Sequence, residues 1–211
     1  MSFLRLPKPE EIEADFPPRP TRAIIVQPRF IVALLCGMLG YGVMSFLMTA
    51  TPLAMNHHNH DFSDTAFVIQ WHILGMFAPS LVTGHLIRYF GVSQVMLVGA
   101  LLGLGCIFIN LSGTELWHFW TALLLLGISW NFLFVGATTL LTETYHQSER
   151  TKAQAINDFS VFSTVAIASL IAGALQHQFG WRIVNIGAIP ALIIIILAIH
   201  LAHHSQTTKT D

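Results

Sequence analysis

Residues 181–201 read WRIVNIGAIPALIIIILAIHL, a run in which Arg182 is the only Asp, Glu, Lys or Arg. About 20 mostly apolar residues in a helix span the hydrocarbon layer of a bilayer, so this stretch predicts a transmembrane helix. Lipid offers no partner for backbone N–H and C=O groups, which leaves the helix as the spanning form for such a run. Five further stretches of this kind precede it, at 30–55, 65–87, 93–111, 117–141 and 154–175. The 93–111 stretch is as uniformly apolar as 181–201, whereas 154–175 is the most polar, with Asn157 and Asp158 near its start. Composition agrees: the 211 residues are 54% hydrophobic and 10% charged, with mean hydropathy +0.63. A water-soluble domain carries about 25% charged residues. The sequence predicts an all-α membrane protein of six transmembrane helices.

Charge placement predicts orientation, because Lys and Arg collect in short cytoplasmic loops. Nine of the ten bases fall on one side: Arg5, Lys8, Arg19, Arg22, Arg29, Arg88, Arg150, Lys152 and Lys209. The opposite loops hold only Arg182. Both termini are therefore expected in the cytoplasm. Residues 1–29 are Pro-rich and polar and read as an extended, linker-like leader; 30–201 form the bundle; 202–211 form a cytoplasmic tail. No secretory signal is expected in the leader. A net charge of −1 argues against a nucleic-acid partner. Cys36 and Cys106 lie in apolar runs and read as small core hydrophobes.

Polar groups inside a bilayer are costly, so each one invites a role. Gly127, Asn131 and Thr138 share a face of the fourth span, beside Trp130. That stripe could line a substrate cavity, or Asn131 could glue two helices. In the second span Gln70 and His72 point to different faces; His72 could carry a proton or sit neutral and hydrogen-bonded. Pro79 in the same span is expected to kink it. Asn157, Ser160 and Thr164 form a polar stripe on the fifth span. Asp158 beside it is expected either to cap that helix or to close a gate with Arg150, Lys152 or Arg88. Tyr41, Met44 and Met48 share a face of the first span and could contact an aromatic solute or simply pack. Gly99 and Gly103 make a GxxxG, the mark of a tight helix contact.

His57, His58, His60 and Asp61 crowd one loop, and a metal-handling membrane protein is one alternative reading of it. Spacing alone does not fix a tetrahedral site there, and no metal or cofactor is expected. No nucleophile elbow, Walker loop, HExxH or dinucleotide fingerprint is present, so nothing argues for an enzyme.

The strings AFVIQWH (66–72), GISWNFLFVG (127–136) and KAQAINDF (152–159) resemble the C-terminal half of a bacterial major facilitator superfamily transporter. The resemblance covers nearly the whole chain. It implies a carrier of small organic solutes, riboflavin-like ones among them, in the bacterial inner membrane. It also implies alternating access between two six-helix halves, so a second half or a homodimer is the expected partner. The first, second, fourth and fifth spans would face the solute. Asn131, Gln70, Trp130, Asn157, Tyr41 and Met44 are then the expected substrate contacts, and His72 and Asp158 the expected coupling or gating groups. Gly84 and Gly91 keep the glycine spacing of the family's loop signature, but Arg88 stands where its acid belongs and Tyr89 where its base belongs. A non-transporting scaffold or an inactive fragment is the alternative.

Overall fold

A computed structural model describes residues 19–207. These form α1 (Thr21–Ile25), α2 (Pro28–His57), α3 (Phe62–Phe77), α4 (Ser80–Phe90), α5 (Val92–Ser112), α6 (Leu116–Thr142) and α7 (Arg150–Thr207), with a short 3-10 turn at Gln147–Glu149 before α7. No strand occurs among the described residues. Local chemistry sets the helix starts. Pro28 opens α2, where its fixed φ suits the first turn and its missing N–H would be unpaired anyway. Asp61 and Glu115 stand in extended backbone just before α3 and α6, placing an acid at the positive end of each helix dipole.

Among the described residues, four helical stretches are long and apolar enough to cross a membrane. A fifth is counted if α3 and α4, bent by 42° at the break between them, make one span. The break falls at Pro79, where a kink is expected from the missing N–H. Thr83 Oγ1 bonds to Pro79 O at 2.7 Å on the far side of the bend.

The last stretch is not one rod. Gly180 has φ 76° and ψ 178°, a backbone region that side chains with a Cβ rarely enter. Thr164, Ala168 and Leu175 before it and Gly187 and Ala191 after it line the same groove against α2. On a straight helix Thr164 and Ala191 would stand about 40 Å apart at 1.5 Å per residue, so the chain folds back at Gly180. Gly91, at φ 89°, makes the other sharp junction, between α4 and α5.

Burial follows the crossings. α2 packs on α7 and α6, α3 on α6, and α5 on α6 and α7. Phe30, Leu47, Met96, Phe119, Leu123, Leu133 and Leu192 are fully enclosed. The GxxxG expectation holds: a Cβ at Gly99 would lie 2.9 Å from Phe132 Cβ, and one at Gly103 would lie 3.0 Å from Leu192.

Two sequence expectations need correction. Residues 21–29 are not extended, because α1 forms there and α2 already begins at Pro28; residues 1–18 lie outside the described part. The helix α7 runs on to Thr207, into the expected tail. Finally, α7 begins at Arg150 with no acid in its first turn, which leaves Asp158 two turns inside the helix and unable to cap it. Glu149 holds the entrance instead. Its Oε2 accepts from His146 N at 3.0 Å. Arg19 donates to both of its oxygens, at 2.8 and 2.7 Å. The Glu149 carboxylate is 1% exposed, and the Arg19 hydrogen bonds hold it well below the usual carboxylate range.

Candidate functional site

Four helices bring aromatic rings to one place. Tyr41 of α2 meets Trp130 edge-on at 5.2 Å and Phe134 at 5.7 Å, both from α6. Trp130 and Phe134, one turn apart on α6, stack at 4.9 Å with an interplanar angle of 8°. Phe77 at the end of α3 approaches Trp130 at 6.3 Å, and Phe162 of α7 approaches Tyr41 at 6.5 Å. Burial is graded across the cluster. Trp130 is 7% exposed, while Phe77 and Phe162 are 61% and 63% exposed. The cluster therefore has a closed floor and an open rim. The buried Trp130 Nε1 has no hydrogen-bond partner, which leaves a donor at the floor. Flat π-faces with one N–H donor suit a planar heterocycle.

The expected site residues scatter around this cluster. Tyr41 and Trp130 belong to it. Met44 is buried at 5% exposure and packs in the core. Gln70 is exposed on α3 and Asn157 is half-buried on α7. Asn157 donates to Asp158 Oδ1 at 3.1 Å. Asp158 and Arg88 are exposed, and none of the ion pairs among the described residues joins Asp158 to Arg88, Arg150 or Lys152. Gly84 opens onto free space, as does Gly91.

Asn131 and His72 hold helices together. Asn131 Nδ2 donates to Met76 O at 2.7 Å and to Ser80 Oγ at 2.6 Å, and its Oδ1 accepts from Thr83 at 2.7 Å. One side chain of α6 thus spans the α3–α4 break and bonds the Met76 carbonyl beside it. His72 is fully buried, with Nδ1 2.8 Å from Leu123 O. Phe77, Phe134 and Phe162 escape a sequence reading that searches for polar groups. The usable signal is the pair Tyr41 and Trp130, which directs attention to other aromatics on the same four helices.

The His-rich loop divides its imidazoles. His60 Nε2 lies 2.8 Å from Thr114 O, and its Nδ1 lies 3.9 Å from Asp64. His57 and His58 meet edge-on. Burial, then His57 and His60, push His58 below its ordinary value. No three His, Cys, Asp or Glu side chains among the described residues are arranged to hold a metal ion.

Comparison with known proteins decides the family. The profile of the Major Facilitator Superfamily matches residues 33–210. The chain belongs to the major facilitator superfamily. It is 45% identical over 185 residues to the riboflavin transporter RfnT of Brucella anthropi, covering 87% of this chain and 46% of that protein. It is 32% identical over 160 residues to the uncharacterized MFS-type transporter YddS of Bacillus subtilis, covering 74% and 37%. It is likewise 32% identical over 156 residues to YdeG of the same organism, covering 72% and 36%. The chain thus spans less than half the length of these curated relatives. The superfamily expectation drawn from the three short strings is met across the bundle. The aromatic cluster lies on the first, second and fourth of the predicted spans and on the part of α7 before Gly180, which corresponds to the fifth.

Proposed function

We propose that this chain forms one six-helix half of a carrier for a planar aromatic solute of the riboflavin class. The observation that carries the reading is the cluster of Tyr41, Phe77, Trp130, Phe134 and Phe162, drawn from four helices and open on one side. The riboflavin transporter name of the Brucella relative supports the same class of solute. Six spans follow if α3 with α4 is one span and α7 is two, divided at Gly180. In this reading both termini are cytoplasmic, the membrane is a bacterial inner membrane, and a second six-helix half faces the open rim. Alternating access then moves the solute past the cluster. Gln70 and Asn157 are polar anchors at the rim, and the Trp130 N–H is the anchor at the floor. Asn131 serves as a joint and not as an anchor, since both amide hydrogens are engaged. His72 is a packing histidine whose Nδ1 is already bonded to α6.

Uptake of labelled riboflavin tests the proposal in cells that cannot make it. The chain is co-expressed with the first half of the Brucella relative. Uptake is expected with both halves and at least tenfold less with Trp130→Ala or Tyr41→Ala at matched membrane levels. Full uptake by both variants would overturn the site, and no uptake above background by the unaltered pair would overturn the carrier reading.

A further inference from the structure

The α3–α4 break carries a chain of hydrogen bonds whose last hydrogen is unspent. Asn131 Nδ2 donates to Met76 O and to Ser80 Oγ, at 2.7 and 2.6 Å. The Met76 carbonyl can only accept, so the amide cannot be turned over, and its Oδ1 faces Thr83. Thr83 Oγ1 lies 2.7 Å from both Asn131 Oδ1 and Pro79 O, so its one hydrogen is given within the break. Ser80 differs. Its oxygen accepts from Asn131, and its own hydroxyl hydrogen has no acceptor among the described residues. Thr83 is fully buried, whereas Ser80 is exposed. A serine in a helix can spend its hydrogen on the carbonyl four residues back. Here that carbonyl, Met76 O, already holds Asn131.

The place of this hydroxyl relates it to the aromatic cluster. Ala78 and Pro79 keep right-handed helical backbone, at φ −59° and −62°, so helical spacing of side chains carries through the bend. Gln70, Leu74, Phe77 and Ser80 therefore run along one stripe of α3 and α4. All four are exposed. Phe77 is the rim ring that approaches Trp130 at 6.3 Å, and Ser80 is bonded to the residue that follows Trp130 on α6.

We propose that Ser80 is a specificity-determining residue of the aromatic site. It donates its hydroxyl hydrogen to an acceptor, a carbonyl oxygen or ring nitrogen, on the edge of the planar solute. The assignment rests on the proposed solute class and adds what that solute must carry. Ring faces hold any flat molecule, and a donor beside them selects one with an acceptor at its edge. Asn131 is the positioning residue, because its N–H fixes the serine oxygen and polarises the hydroxyl as a donor.

Uptake of labelled riboflavin, with the chain and the first half of the Brucella relative co-expressed at matched membrane levels, tests it. Ser80→Ala should raise KM about tenfold, the worth of one good hydrogen bond, and leave the maximal rate unchanged. Ser80→Thr, which keeps the hydroxyl, should keep the unaltered KM. Inhibition of uptake by N-methylacridinium, a planar tricycle with no edge acceptor, should be the same with and without Ser80→Ala. An unshifted KM in Ser80→Ala would overturn this assignment alone. So would acridinium inhibition weakened by the same factor as riboflavin, since a loosened fold would blunt both. No uptake by the unaltered pair would remove the solute reading and this assignment with it.

Discussion

The α3–α6 seam and the α2–α7 seam both rely on glycine, and they hold their helices in different ways. Where α3 crosses α6, a Cβ at Gly127 would lie 2.5 Å from His72 O, and one at Gly75 would lie 2.8 Å from Leu124 O. The backbones nearly touch, and His72 and Asn131 then bind across the gap to main-chain carbonyls. Where α2 crosses α7, a Cβ at Gly42 would meet only the Thr164 methyl at 2.9 Å. A polar link between these two spans, side chain to side chain, is Ser45 Oγ to Ser169 Oγ at 2.8 Å. Bonds from side chain to backbone fix register, because the carbonyl cannot turn away. A hydroxyl pair between side chains over smooth small residues does not. The first seam is a weld that keeps a broken helix bent, and the second is a surface along which helices can shift.

The contrast can be broken most severely at Gly127. Gly127→Leu would drive a side chain into the α3 backbone, with an expected loss of about 3 kcal/mol or more, read as the disappearance of a monodisperse species in detergent. If Gly42→Leu proved equally damaging, the distinction between the seams would fail. Asn131→Leu comes next. It strands Met76 O, while the Thr83 hydroxyl keeps Pro79 O as its acceptor, with an expected cost of about 2 kcal/mol, seen as a lower midpoint of thermal unfolding. Ser45→Ala should cost only about 0.6 kcal/mol, the usual worth of a hydrogen bond between membrane helices. A loss as large as that of Asn131→Leu would show that the α2–α7 seam is also locked.

A last effect, seen only in acid, concerns pH at the foot of α7. The folded-state value of Glu149 is depressed, so its contribution is complete above the ordinary carboxylate range and is lost as pH falls through the folded value. Stability should be flat from pH 7 to about 5 and decline below about 4. Glu149→Gln should flatten that decline, and an unchanged acid profile in this variant would assign the decline to other groups.

The long apolar runs made the helical fold legible, because hydropathy depends on composition and not on partners. The Pro79 bend was legible because proline acts on its own backbone, and the gap between the 154–175 and 181–201 runs marked the place of the reversal without singling out Gly180. The site was legible only in part. Polar residues in lipid attract a functional reading, yet Asn131 Nδ2 and His72 Nδ1 already meet a carbonyl on a neighbouring helix. Phe77, Phe134 and Phe162 look like ordinary membrane residues one by one, and only the helix crossings gather them around Tyr41 and Trp130. Glu149 was hidden because its partner, Arg19, lies 130 residues away in the chain.

That last pairing has a mechanical consequence. Arg19 also donates to Thr144 O at 3.1 Å, and Gln27 reaches the same carbonyl at 3.1 Å. The polypeptide entering α2 is thus moored to the α6–α7 connection before it reaches the bundle. Tension arriving from residues upstream of Arg19 would be delivered first to the base of α7, the helix on the looser seam, and only afterwards to α2.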